Sequence, residues 1–248
     1  MKTLLILLLI VFCLGESQAQ VSNNEIIVAK YEMTFNSPLI SEMVRKSAPS
    51  PDVFASAMNE IEKTKVWYKL YVFEDGFSTY TIDTLFTNKK VSILGYPTIT
   101  NYQKDSLLYG EELLFNDIVR YTANSNDYHW IIADSIISIN GYNCHFAQSS
   151  YFPGLKVWFT TDVMLNHGPA YIQGLPGLIV KFETDFDVTN LLSIQKVPST
   201  DELEKIKDTN VMRSAQDDKK RKIDLSVLIK RKSQFKNQIQ KSVESSKK

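Results

Sequence analysis

Apolar and polar residues alternate one for one along most of this chain. In IIVAKYEMTF (26–35), Ile27, Ala29, Tyr31, Met33 and Phe35 fall on one face and Lys30, Glu32 and Thr34 on the other, which is the period of a half-buried strand. WYKLYVFEDGFSTYTI (67–82) holds two such runs around Asp75-Gly76, a dipeptide that signals a hairpin when it lies between β-rich runs. ELLFNDIVRY, YHWIIADS, GYNCHFAQSS, KVWFTT, LIVKFETD and NLLSIQKV follow as further strands. The gaps between them are too short for repeated helical crossovers, so antiparallel pairing is expected. One segment departs from the alternation. SPDVFASAMNEIEKTK (50–65) offers Ser50 as N-cap, Pro51 at the first helical position and Asp52 in the first turn. Its Phe54, Ala57, Met58 and Ile61 form a stripe at helical spacing, so a helix covering one face of the sheet is expected.

Glycine and proline concentrate in GPAYIQGLPGLIVKFE (168–183), at Gly168, Pro169, Gly174, Pro176 and Gly177. Leu175-Pro176-Gly177-Leu178 fits a type II turn, with Pro176 presetting φ at the second position and Gly177 supplying a positive φ at the third. Gly174 is expected to permit a close backbone approach or a bulge, and His167-Gly168-Pro169 to form a further turn. A phosphate cradle needs successive N–H donors opening a helix. Here proline removes a donor and a strand follows, with Leu178, Val180 and Phe182 on one side and Ile179, Lys181 and Glu183 on the other.

The first residues, MKTLLILLLIVFCLGESQAQ, set Lys2 before an apolar run from Leu4 to Leu14, then small residues at Ser17 and Ala19. That is the layout of a secretory signal peptide over residues 1–19, with the mature chain expected to start at Gln20. The apolar run is too short to span a bilayer core of roughly 30 Å, and no later segment is suited to crossing one. Cys13 is a poor lipidation site because the bulky Phe12 precedes it. Cleavage leaves Cys144 as the one cysteine of the original two, so no internal disulfide forms and an ordinary core has to hold the fold.

Formal charge is zero, but it is unevenly spread: the β-rich part (20–197) is acidic and the extension (198–248) basic. No stretch of the body is basic enough to imply nucleic acid. The extension, DDKKRKIDLSVLIKRKSQFKNQIQKSVESSKK, can set Leu228, Phe235 and Ile239 on one helix face. Two readings stand for it: a solvated, partly disordered tail, or a basic helix for an anionic membrane surface or an acidic partner.

Candidate chemistry is sparse. Cys144 alternates with Tyr142 and Phe146 on an apolar face, where a cysteine acts as a small hydrophobe, and His145 points the other way. His129, His145 and His167 show no HExxH spacing and no CxxC occurs, so no metal site is expected beyond a loose one from His167 and Asp162. No GxSxG elbow is present. Asp185 and Asp187, read as sharing a strand face, are a carboxylate pair for acid–base work or solvated charges. Trp67, Trp130 and Trp158 are either core or the lining of a sugar or lipid pocket.

Four segments in order resemble the GLPGLI family of exported Gram-negative envelope proteins. YHWIIAD (128–134) resembles its tryptophan-bearing strand, and GYNCHFA (141–147) its Gly-Tyr-x-Cys segment through Gly141, Tyr142 and Cys144. VWFT (157–160) resembles its aromatic strand, and GPAYIQGLPGLI (168–179) its signature through Gly168, Pro169, Gly174, Leu175, Pro176, Gly177, Leu178 and Ile179. Asp162-Val163-Met164 stands where relatives tend to carry an acidic-Ile-Pro step. The resemblance implies export to the periplasm or the outer-membrane periphery, and it brings no established activity.

Together these readings predict a mainly β, α+β fold. The expected shape is a curved antiparallel sheet or incomplete barrel with one or two packed helices, like periplasmic lipoprotein carriers by analogy. The expected function is a non-catalytic envelope binding or accessory protein without a cofactor, holding an apolar ligand or an outer-membrane transport protein. Trp130, Trp158, His167 and Tyr171 are its candidate contact residues. The alternative is an envelope hydrolase assembled from separate strands. A carrier predicts an apolar concavity, a partner subunit an exposed apolar edge, and an enzyme a cleft holding perturbed titratable groups.

Overall fold

The computed structural model describes residues 25–35, 37–86, 96–102, 107–114, 117–216 and 221–245; the expected signal peptide and Cys13 lie outside them. The strands are β1 (Glu25–Thr34), β2 (Lys65–Val72), β3 (Ser78–Phe86), β4 (Tyr96–Tyr102), β5 (Leu107–Leu114) and β6 (Asp117–Asn124). There follow β7 (Trp130–Ile139), β8 (Tyr142–Ser149), β9 (Lys156–Thr160), β10 (Leu178–Glu183), β11 (Val188–Pro198) and β12 (Ile223–Asp224). All belong to one sheet in the order β12-β6-β5-β4-β3-β2-β1-β11-β10-β9-β8-β7. Pairing is antiparallel except where the short β12 runs parallel to β6.

That order explains the curvature. β6 and β7 follow one another in the chain yet lie at opposite margins of the sheet, joined only by residues 125–129 with a 3-10 turn at Ser125–Asp127. Five residues reach at most roughly 18 Å, so the sheet has to roll until its margins approach. The margins do not pair, and the result is the expected incomplete barrel rather than a closed one.

The inner face is aromatic. Tyr68 stacks on Tyr80 (4.5 Å between centroids), Tyr31 meets Tyr80 edge-on (6.0 Å), and all three are buried. Tyr121 on β6 lies flat across Gly110 on β5, its register partner; a Cβ there would sit 2.2 Å from the ring. The outer face has a second cluster, Ile26, Val28, Tyr71, Phe73 and Phe77. The first half of β1 is therefore buried on both sides, through Ile26 and Val28, while from Lys30 onward its outer face is open as the alternation reads.

Four helices are described where one or two were expected: α1 (Pro38–Ser47), α2 (Pro51–Lys63), α3 (Asp201–Gln216) and α4 (Leu225–Ser245). α2 starts at Ser50 and Pro51 as its capping residues require, the Ser50 hydroxyl accepting from Val53 N, and it buries Ile61. α1 uses the same device at Ser37 and Pro38 and buries Ile40.

The basic extension is helical in α3 and α4, the helical one of its two readings, and both helices dock on the sheet. α3 covers the outer cluster with Leu203, Ile206 and Val211. It is also tied by Asn210, whose amide donates to Thr79 Oγ1 (3.2 Å) while its carbonyl accepts from Asn101 Nδ2 (2.9 Å). α4 buries Leu225 and Leu228 in the main core. Adjacent glutamates of β5 serve the two helices from opposite faces. Glu111 is ion-paired with Arg213 of α3 and Glu112 with Lys232 of α4, and both carboxylates are buried.

Candidate functional site

Residues 161–177, which connect β9 to β10, carry the glycine-proline motif across the inner face. His167 Nδ1 lies 3.0 Å from Ser78 Oγ on β3, and its ring meets Tyr102 of β4 edge-on at 5.1 Å. Tyr171 meets Tyr121 of β6 edge-on (6.4 Å) and stacks on Phe152 (5.3 Å). Buried Gln173 staples the loop to itself, its Oε1 accepting from Gly168 N (3.2 Å) and its Nε2 donating to Gly168 O (3.0 Å). Tyr31 Oη then donates to Ile179 O at 2.9 Å. The motif thus fills the barrel interior instead of lining an empty one.

Its glycines exchange the roles expected of them. Gly177 does not take a positive φ, so Leu175–Leu178 is not a type II turn; Leu178 N donates instead to Val163 O across the loop (3.0 Å). Glycine is required at 177 because a Cβ would stand 2.0 Å from Thr160 O. Gly174 is the residue with positive φ (81°), and around it there is space, Trp130 Nε1 at 3.8 Å being nearest. The turn read at His167-Gly168-Pro169 lies further on, where Ile172 N donates to Pro169 O (3.1 Å) and Ala170 adopts φ 51°. Gly168 provides another close approach, 2.0 Å from Ile172 O to a would-be Cβ.

The four candidate contact residues do not converge on one cavity. Trp130 donates its indole N–H to Gln173 O (2.9 Å) and stacks on Phe152 (5.7 Å), so it joins Tyr171 in an aromatic cluster around Phe152. His167 sits apart against Ser78, and burial lowers its pKa, keeping the ring neutral. Trp158 is elsewhere, beside Phe146 (5.4 Å) and under the Lys181 ammonium (5.0 Å). Trp67 gives its N–H to Glu32 Oε2 at 3.1 Å.

Cys144 is fully buried in the core and burial pushes its thiol up, while His145 is half-buried against Phe159 (5.6 Å). A desolvated neutral thiol is a poor nucleophile. In native protein at pH 8, Cys144 is expected to react with a thiol-labelling reagent at least a hundredfold more slowly than in urea-unfolded protein, a difference a labelling time course reads directly.

One buried carboxyl, that of Asp187, has its pKa raised. Asp185 and Asp187 do not share a strand face: they lie in the tight connection 184–187 between β10 and β11, and neither is a solvated strand-end charge. Lys236 of α4 donates to Asp185 Oδ1 (2.6 Å), and Ser37 Oγ, which caps α1, donates to Asp185 O (2.6 Å). Asp187 is buried and accepts from Thr184 Oγ1 at 2.7 Å. Burial pushes its carboxyl up to about 6; Thr184 and Lys232 pull it down while Glu112 and Asp185 add to the rise. Neither carboxylate oxygen of Glu112 accepts a hydrogen bond among the described residues, Lys232 serving as its charge partner.

Outside this cluster, a cleft of about 920 Å³ runs between α1, α4 and the β10–β11 connection, with Glu42, Lys156, Glu183, Asp185 and Lys236 on its walls. A water-sized void of about 40 Å³ lies behind it, among Phe152, Tyr171, Phe186, Ile229 and Lys232. Sequence reasoning missed Glu112, Lys232 and Thr184; nothing in Glu-Glu within a strand or Lys in a basic run distinguishes them from solvated charges. Among the described residues no group of three or more metal-ligating side chains exists, the loose His167–Asp162 site included.

The edge strand β7 is the other conspicuous feature. Ile131, Ile132, Ile136 and Ile137 are 63%, 43%, 58% and 46% exposed. Successive residues point to opposite faces of a strand, so the strand is apolar on both. Its register against β8 slips between Ile132 and Ile136, and Asp134 is its one charged residue. The signal was present in the sequence as WIIADSIISI, an isoleucine-rich run too apolar on both faces for an edge; only the strand order places it there.

No family model matches the chain, and no curated protein matches it significantly. Among solved structures, PNGF-II in two crystal forms, P21 and C2, aligns with 73% of this chain at 16% and 17% identity and TM-scores of 0.41 and 0.42. This chain spans only 30% and 29% of the PNGF-II chain in the two forms.

Proposed function

We propose that this chain is a non-catalytic, exported accessory protein of the cell envelope, of GLPGLI type, that binds a protein partner through its β7 edge. The observation that carries this reading is the set of four exposed isoleucines on a margin strand whose outer edge pairs with no strand among the described residues. Natural sheets blunt such edges with charge, proline or a covering element, and β7 has one charge within ten residues. Its slipped register discourages pairing along the whole strand, which favours a partner that seats on the side chains and the ends of the strand. An outer-membrane transport protein is the partner class to which the family resemblance points.

An apolar ligand held in the concavity is the weaker form of the binding reading, because Tyr171, Gln173, Leu175 and α4 occupy that space. The hydrolase alternative has one supporting observation, the raised Asp187 carboxyl, and that group is buried beside Lys232 of α4.

The test is native mass spectrometry of the mature, tagged protein gently extracted from its own envelope, alongside the Ile131→Lys/Ile137→Lys variant. A stoichiometric protein partner is expected with the parent chain and a loss of at least tenfold in the variant, with far-UV circular dichroism unchanged. A partner retained by the variant overturns the β7 assignment, and a bound lipid-sized mass without a partner returns the carrier reading.

A further inference from the structure

α4 runs from the β6 margin of the sheet to α1. It begins directly after β12, which pairs with β6, and its last turns reach α1, where Lys46 Nζ donates to Ser242 Oγ (2.9 Å). Its anchoring is uneven along its length. Leu225 and Leu228, in the first turn, are its fully buried residues, whereas beyond Ile229 the described apolar side chains Phe235 and Ile239 are only half-buried, Phe235 stacking on Phe186 at 6.1 Å. There the helix also carries two ion pairs, Lys232 on Glu112 and Lys236 on Asp185.

We propose that α4 is a releasable strap, hinged at its Leu225–Leu228 end, whose distal part is latched by Lys232 and Lys236 over the buried carboxyls of Glu112 and Asp187. The inference is independent of β7. The groups facing Asp187 are Glu112 of β5, Tyr68 of β2, Tyr80 of β3, Tyr171 of the β9–β10 connection, Asp185 of its own turn and Lys232 of α4. With Asp187 protonated, Glu112 and Lys232 balance. With Asp187 ionised, two buried carboxylates share one buried-side ammonium, and the surplus charge is relieved by letting water in under the strap. α3 lacks this imbalance, since Glu111 meets both Arg120 (3.2 Å) and Arg213 and also accepts from Tyr109 Oη (2.7 Å).

Release has a defined consequence. The void under Ile229, Lys232 and Ser233 and the outer cleft share Gly154, Thr184 and Asp185 as walls. Lifting the strap joins them into one pocket floored by Phe152, Tyr171 and Phe186. The strap is thus a gate to the aromatic inner face.

The sign follows from linkage. The closed state holds the Asp187 proton more tightly than an opened, solvated one, so opening becomes easier as pH rises through the window between the ordinary carboxylate value and about 6, and is level above it. If opening restores the ordinary value, the opening equilibrium rises about tenfold between pH 5 and pH 7.

Hydrogen–deuterium exchange on the full mature chain, corrected for intrinsic rates, tests this. Peptides covering 230–245 are expected to lose about tenfold in protection between pH 5 and pH 7, while those from β1 and β2 hold theirs, and the loss is expected to vanish in Asp187→Asn. Protection of 230–245 that does not change with pH, falls together with β1 and β2, or keeps its pH slope in Asp187→Asn overturns the strap. Should Asp187→Asn fail to fold, the comparison of segments in the parent chain decides the matter alone.

Discussion

Gly177→Ala is expected to be among the most damaging single-methyl substitutions in this chain, costing about 3 kcal/mol or more and lowering the urea midpoint by over ~1 M. The added Cβ would stand 2.0 Å from Thr160 O and 2.8 Å from its carbonyl carbon. Both are backbone atoms of β9, so no side-chain rotation relieves the overlap. Backing away separates Leu178 from Thr160, its register partner, and strains the bond from Leu178 N to Val163 O. Gly168→Ala meets the same obstacle at Ile172 O. Gly174→Ala is the contrast: it requires an alanine at φ 81° in open surroundings, for roughly 1–2 kcal/mol of backbone strain. Urea denaturation of the three variants gives the order. If Gly174→Ala proves the costliest, backbone handedness governs the motif and close approach does not.

The contrast shows what the sequence can and cannot convey about this loop. Gly-Leu-Pro-Gly-Leu announces a backbone constraint at its glycines, and both constraints exist. Which glycine carries positive φ and which a close approach depends on β9 lying 2 Å away from a would-be side chain, and that neighbour is tertiary. The strands were legible for the opposite reason: alternation in IIVAKYEMTF or KVWFTT is a local consequence of having an inside and an outside. The Asp75-Gly76 hairpin and the Ser50-Pro51 helix start were local in the same sense, Gly76 taking φ 83° and Ser50 accepting from Val53 N as their types demand.

What remained hidden was decided by strand order. β6 and β7, adjacent in the chain, part to opposite margins because β1 inserts between β2 and β11 and so splits the sheet into two runs of neighbours. From that arrangement follow the curvature and the exposure of WIIADSIISI as an edge. The docking of the charged extension was hidden for a related reason. Its apolar residues are few, and its docking relies on Glu111 and Glu112, a pair that in isolation looks like solvent-facing polarity. Asp185 and Asp187 read as strand because ETDFDV alternates; the chain turns there instead, with the Thr184 hydroxyl accepting from Phe186 N and Asp187 N at 3.1 Å each.

The reliance of α4 on a buried charge can be measured by taking the charge away. Lys232→Met is expected to cost about 3–5 kcal/mol, because it leaves Glu112 fully buried with no compensating cation. Replacing the glutamate as well, in Glu112→Gln/Lys232→Met, is expected to recover most of that loss, since a neutral pair of similar volume carries no uncompensated charge into the core. Arg213→Met provides the internal comparison. Glu111 there keeps Arg120 Nε at 3.2 Å and Tyr109 Oη at 2.7 Å, so a loss of only ~1–2 kcal/mol is expected. The decisive quantity is the coupling between positions 112 and 232 from the double-mutant cycle, read by urea denaturation at pH 7. A large coupling makes the basic extension an integral part of the fold, held at one buried carboxylate. A coupling below ~0.5 kcal/mol would mean that Leu225 and Leu228 alone retain α4, and the Lys232 contact would then be no latch.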